Sequence, residues 1–215
     1  MRRWAEEVAD TTEQAGSDGT ALAPLVAQAR QLVADIDVLA AVDDGSLRLA
    51  LAVTDLRAVV EEAAARSALE AGAVVRVEPL VVGAALVWCD AGLVERAVRA
   101  LVDNALQHAP GAAPPLVLVG RRGRWMDIAV HDRGPGIPAS RLPLVFSRFG
   151  WLDRGANRGG VGLGLTLARE VARLHGGDVV HRNPGDGVGS VFTLRLPAAA
   201  EEEAARLVLA AGHSQ

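Results

Sequence analysis

Three short stretches carry residue types suited to an anionic, hydrogen-bonding ligand. The first is GGVGLG, residues 159–164, with four glycines in six positions where a helical pattern begins. Each glycine weakens a helix by about 1 kcal/mol relative to alanine. In return it lets backbone N–H groups come close to a ligand, and the free donors and dipole of a helix N-terminus favour a phosphate. Taken alone, the same loop serves equally well as a hinge or tight turn. The second stretch is VHDRGPGIP, residues 130–138, where Asp132 closes an apolar strand and Gly134 and Gly136 follow. A carboxylate at such a bend can accept a hydrogen bond from an exocyclic amino group such as adenine N6, or simply form an Asx-turn. The third is RAVRALVDNALQHAP, residues 96–110, where Asn104 and His108 stand one helical turn apart. A carboxamide oxygen is a hard ligand suited to Mg²⁺, and His108 can reach a phosphate from the same face. As an isolated pair they also fit a satisfied asparagine beside an exposed histidine.

The elements that must position these groups are legible from periodicity. Leu163, Leu167, Val171 and Leu174 predict a helix after the glycines, capped by His175 and Gly176. A long helix is expected over about 90–108, with strands at 115–121 and 125–131 around the turn RRGR. Strands at 178–182 and 190–196 flank NPGDGVG, a hairpin-like turn. Further upstream, Thr54 reads as the N-cap of a helix over about 55–70 that stops at Gly72, and strands are expected at 74–78 and 84–88. Strands and helices mix without strict βαβ alternation. The expected class is α+β, a two-layer α/β sandwich whose largely antiparallel sheet carries helices on one face. Ahead of it, Leu22, Leu25, Ala29, Leu32, Ile36 and Leu39 alternate spacings of three and four, the narrow seam of a bundle helix over 21–43. The alternative is a single amphipathic helix lying on the domain that follows. Residues 200–211 predict a short terminal helix, so the chain divides into 1–45, 46–197 and 198–215.

Composition narrows the function. Half of the 215 residues are hydrophobic, 22% are charged and the net charge is −4, with no basic excess to attract nucleic acid. Aromatics make up 3% with no tyrosine, so base-stacking platforms are not expected. The single cysteine, Cys89, lies in the apolar run LVWC, which excludes an internal disulfide, fits a reducing cytoplasm and reads as a buried, inert thiol. No apolar run reaches membrane-spanning length, and MRRWAEEVAD lacks the apolar core of a signal peptide.

The order of the stretches is more specific than any one of them. Asn on a helix, then D-x-G-x-G after a strand, then G-x-G-x-G at a helix start resembles the N, G1 and G2 boxes of sensor histidine kinase ATP-binding domains. These belong to the wider superfamily of gyrase, Hsp90 and MutL. VFSRFG, residues 145–150, is similar to the F box, and GSVFTLRLP, residues 189–197, to the closing strand; the resemblance covers roughly 54–197. It implies that Asp132 binds the adenine amino group, that Gly134 and Gly136 shape the pocket, and that Asn104 holds Mg²⁺ on the phosphates with His108 nearby. It implies that Gly160, Gly162 and Gly164 let backbone amides meet the phosphate chain and that Thr193 supports the adenine side. Residues 150–159, with Arg154 and Arg158, resemble a short ATP lid. The helix over 21–43 resembles the second helix of a dimerisation and phosphotransfer bundle, which implies a homodimer and a response regulator as eventual phosphoryl recipient.

Two departures stand out. The N box of this family usually carries a second asparagine one turn earlier, where this chain has Ala100, and Trp151 stands where an arginine often follows the F box. In addition, the phosphoacceptor histidine of the bundle is missing: no histidine precedes His108, and His131, His175, His181 and His213 are poorly placed to replace it. The preferred expectation is a chain that begins beyond that histidine. A serine-directed kinase of the anti-sigma-factor type and a non-catalytic dimerisation or partner-binding module are the alternative functions.

Overall fold

The computed structural model describes residues 19–81, 83–109, 111, 113–148, 162–185 and 188–199. The chain divides into two compact units, 1–46 and 47–215. The described part of the first is helix α1, Gly19–Asp43, which ends at Gly45 with φ +69°. Of the expected seam residues whose side chains are described, Leu39 is buried, Ala29 and Leu32 are half-buried and Ile36 is exposed. The terminal helix expected over 200–211 lies outside the described residues.

The second unit runs β1 (Ala52–Asp55), α2 (Leu56–Ala71), β2 (Arg76–Pro79), β3 (Leu86–Cys89), α3 (Ala91–His108), β4 (Leu116–Arg122) and β5 (Trp125–His131). After a short 3₁₀ turn at Ala139–Leu144 come α4 (Gly164–Leu174), β6 (Asp178–Arg182) and β7 (Val191–Pro197). Five strands pair in the order β2-β4-β5-β7-β6, with β2 parallel to β4 and the other neighbours antiparallel. The helices α2, α3 and α4 pack on one face of this sheet, giving the expected α+β sandwich. Alternation along β5 explains the layer: Met126, Ile128 and Val130 point inward with Val117 and Val119 of β4 and Phe192, Leu194 and Leu196 of β7. Helices α2 and α3 meet this row with Leu56, Val60, Val94, Val98, Leu101 and Val102, all fully buried.

A separate ribbon pairs β1 with β3. It alters one expectation: Thr54 is in the ladder opposite Val87, and Asp55 caps α2 in its place, its Oδ1 accepting from the N–H groups of Arg57 (3.0 Å) and Ala85 (3.1 Å). Asp55 is the last residue of β1, opposite Leu86, and its extended backbone (φ −81°, ψ 110°) is the conformation an N-cap takes, so the cap falls at the end of the strand, one residue beyond Thr54. Gly72, with φ +59°, ends the helix as predicted.

Asp90 fastens the start of α3. Its Oδ1 accepts from Leu93 N–H (3.1 Å) and its Oδ2 from Ala50 N–H (3.0 Å), while its own N–H donates to Nε2 of buried His175 at the end of α4 (2.9 Å). The side chain thus serves a helix N-cap and anchors the segment entering β1. Asp90→Ala is expected to lower the unfolding free energy by about 2 kcal/mol, since it removes a cap and leaves a second N–H without its acceptor. Urea unfolding of both proteins measures it, and a loss near zero would show that water replaces both bonds.

Candidate nucleotide site

The site begins on α3. Its core stripe, Ala97, Leu101 and Ala105, is buried, and the adjacent stripe of Ala100, Asn104 and His108 is half-buried at one residue per turn. The carboxamide of Asn104 makes no hydrogen bond among the described residues, so its oxygen remains available. The two ends of this stripe meet the two glycine segments. At the C-terminal end, a Cβ on Gly134 would lie 2.8 Å from the carbonyl oxygen of His108. At the other end, a Cβ on Gly164 would lie 3.4 Å from Cβ of Ala100. Asn104 therefore stands between the loop after β5 and the first turn of α4.

Asp132 closes β5 on the inward face and is only 6% exposed. Its Oδ1 accepts from Gly134 N–H (2.8 Å) and Ser190 N–H (3.0 Å), and its backbone N–H extends the β5–β7 ladder to Ser190 O (3.0 Å). Its Oδ2 takes no hydrogen bond among the described residues and is not sealed from the surface, which leaves one carboxylate oxygen to accept from a ligand donor. Gly136 adopts φ +71°, and a Cβ there would approach Gly189 O to 3.0 Å and Asn183 Oδ1 to 3.3 Å. At the start of α4, Gly162 has φ +73° and no side chain among the described residues caps the helix, which leaves N–H donors of the kind that favour an anion. Behind it, Thr166 Oγ1 donates to Phe146 O (3.0 Å), tying α4 to the segment that resembles the F box.

The structure thus gathers Asn104, His108, Asp132, Gly134 and Gly136 around one end of α3, with Gly164 at its middle turn. Gly160, the lid arginines Arg154 and Arg158, and Trp151 lie outside the described residues. Thr193 is not with the others. It pairs with Ala129 and so points to the sheet face opposite Ile128, Val130 and Asp132. The residue of β7 parity that meets Asp132 is Ser190, which sequence reading placed at the start of the strand without a role in the site. Its signal was present, because Ser190, Phe192, Leu194 and Leu196 alternate in step. Asn183 was likewise read only as a turn residue.

Two histidines near this end have lowered pKa values. His181 packs its ring on Phe192 at 4.8 Å between centroids, with Nε2 buried and without a partner among the described residues. Burial lowers its pKa, against a small opposing pull from Asp132. His131, on the other face, is lowered first by burial and then by Arg182, with Asp132 again opposing.

Residues 89–200 match the family described as "Histidine kinase-, DNA gyrase B-, and HSP90-like ATPase". The chain belongs to that family. Among curated relatives of this chain are the signal transduction histidine-protein kinase AfsQ2 of Streptomyces coelicolor and the sensor-like histidine kinase SenX3 of Mycolicibacterium smegmatis. The first is 47% identical over 98 residues, which is 45% of this chain and 18% of the relative; the second is 39% identical over 111 residues, 50% of this chain and 28% of the relative. The chain therefore spans less than a third of the length of these relatives. Among solved structures, a mycobacterial sensor histidine kinase, MprB, superposes with TM-score 0.56 at 26% identity, covering 69% of this chain and 97% of that one. The Acinetobacter baumannii histidine kinase AdeS superposes with TM-score 0.64 at 24% identity, covering 85% and 86%, a likeness of fold.

The lowered histidines make stability depend on pH with a definite sign. The unfolded ATPase takes up protons at these imidazoles near pH 6.5, whereas the folded one does so only at lower pH, so stability present at neutral pH is lost as pH falls through that interval. The melting temperature is expected to fall between pH 7.5 and 5.5. His181→Phe, which keeps a ring against Phe192, is expected to reduce that fall; an undiminished fall would remove His181 as a contributor.

Proposed function

We propose that the chain is the ATP-binding catalytic module of a two-component sensor histidine kinase, transferring the γ-phosphoryl group of ATP to a histidine on a helical bundle. The observation that carries this reading is the placement of Asn104 on the α3 stripe between Gly134, at the Asp132 loop, and Gly164, at the uncapped start of α4. In it, Asp132 Oδ2 accepts from the adenine 6-amino group while Oδ1 stays on its two backbone donors. Gly134 and Gly136 keep the pocket floor free of side chains. Gly160, Gly162 and Gly164 bring backbone N–H groups to the phosphate chain, and His108 lies beside it. Ser190 takes the supporting place at the adenine side that sequence reading gave to Thr193.

Asn104 would hold Mg²⁺ on the phosphates. No group of three His, Cys, Asp or Glu side chains suited to a metal occurs among the described residues, which fits an ion bound mainly by phosphate and water with one protein carboxamide. When bound, the ion neutralises charge on the transferring phosphoryl group. The protein's share would be positioning: the Asp132 loop would hold the base, and Asn104 with the start of α4 would hold the phosphates.

The named relatives are sensor kinases, which supports this reading over a serine-directed kinase or a non-catalytic scaffold. By the same reading the helix α1 contributes to a homodimeric bundle, a response regulator receives the phosphoryl group, and the module works in the cytoplasm. No described helix is long and apolar enough to cross a membrane.

Calorimetric titration with ATP, with and without Mg²⁺, tests the proposal. Saturable, Mg²⁺-dependent binding is expected, and Asp132→Asn should weaken it by roughly ten- to a hundredfold, the worth of a charge-assisted hydrogen bond. Absence of binding, or an unchanged affinity in the variant, would refute the assignment.

A further inference from the structure

The loop from Asp132 to Ile137 is gripped at both ends, and only the first grip belongs to Asp132. At the far end the carboxamide of Asn183 holds Ile137 by its main chain: Ile137 N–H donates to Oδ1 (3.1 Å), and Nδ2 donates to Ile137 O (2.9 Å). One side chain thereby copies what a neighbouring strand residue would do, satisfying donor and acceptor of a residue 46 positions away. Gly136 is what lets Asn183 come so near, since a Cβ there would crowd both Asn183 Oδ1 and Gly189 O. The register His181↔Phe192 and Arg182↔Val191, carried one step on, sets Asn183 beside Ser190, which pairs in turn with Asp132. Asp132, Ser190 and Asn183 form one polar row across three strands at the end of the sheet, just beyond the inward row of Val130, Phe192 and His181.

We infer that Asn183 is a positioning residue for base recognition: by fixing Ile137 it fixes the loop that sets Asp132 Oδ2 against the 6-amino group of the nucleotide. The inference rests on the nucleotide-binding reading above. Without the Asn183 clamp, the loop is still tethered by Gly189 N–H to Gly134 O (2.7 Å) and by Oδ1 of Asp132. The chain there folds but loses the second point that defines its distance from the base. A loose loop costs affinity only for ligands that use it, which separates positioning from general support.

The test is calorimetry on the full chain with two magnesium nucleotides, ATP and purine ribonucleoside triphosphate, which has hydrogen in place of the 6-amino group. The unaltered protein is expected to prefer ATP. In Asn183→Ala the Kd for ATP should rise roughly tenfold, the worth of two net hydrogen bonds, while that for the purine analogue stays unchanged, so the preference collapses. Asn183→Asp is the isosteric second variant: it keeps the acceptor for Ile137 N–H, places an oxygen against Ile137 O and should lose the preference as well. Equal weakening of both nucleotides would make Asn183 a merely structural residue and overturn the inference, as would full retention of ATP affinity in either folded variant. If the unaltered protein binds both nucleotides equally, base reading by Asp132 is wrong and Asn183 has nothing to position. If it binds neither, the nucleotide reading itself fails.

Discussion

A carboxylate taken almost out of water at the end of β5 is the constraint on which the rest of the site depends. A buried carboxylate is costly unless donors meet it, and Asp132 meets two backbone N–H groups, one two residues on and one 58 residues on. The near donor requires the chain to double back at Gly134, where any Cβ would strike the end of α3. The far donor requires β7 to lie beside β5, and requires Gly189, with φ +85°, because a side chain there would collide with the carbonyl of Asp132. The motif D-x-G-x-G and the turn before β7 are thus two halves of one solution to the burial of a single acid.

The weak helix start has the opposite logic. Over α4 the inward residues Leu165, Leu167, Ala168, Val171 and Ala172 anchor the helix to the sheet and to α3. Arg169 adds a paired contact to Asp178 at the start of β6 (2.8 and 3.2 Å) and lies over the ring of Phe146 at 4.6 Å. With its body held this way, the first turn does without a side-chain cap among the described residues, and under the proposed role its N–H groups would be kept for a ligand. Stability is supplied one or two turns downstream of where it is given up.

Much of this was legible in the sequence because it is local. Period-3.6 and period-2 patterns gave the elements of the ATPase unit within a few residues, and the order of the N, G1 and G2 boxes pointed to Asn104, Asp132 and the glycines before their meeting was visible. What escaped was decided by pairing across long separations. Thr193 carries a hydroxyl near the right strand, but the register with Ala129 turns it to the wrong face. Thr54 is a good cap by type, yet the ribbon with β3 runs one residue further and Asp55, at its end, takes the cap. Asn183, in an N-P-G run, reads as a turn residue until the fold brings Ile137 within reach. Register is set by which strands become neighbours, and no window of ten or fifteen residues contains that information.

The same reasoning bears on Ala100, where this chain lacks the second amide of the N box. Gly164 comes up against the methyl of Ala100, so α3 and α4 approach with almost nothing between them at that turn. A longer side chain at 100 would have to turn away from Gly164. Under the proposed nucleotide-binding role, one amide on the stripe would leave more of the charge of a triphosphate to Asn104, to backbone donors at the start of α4 and to a cation. The contact of Gly164 with Ala100 sets the start of α4 against the turn of α3 that precedes Asn104, and under that role it would fix how far the donors of α4 stand from the one amide that remains.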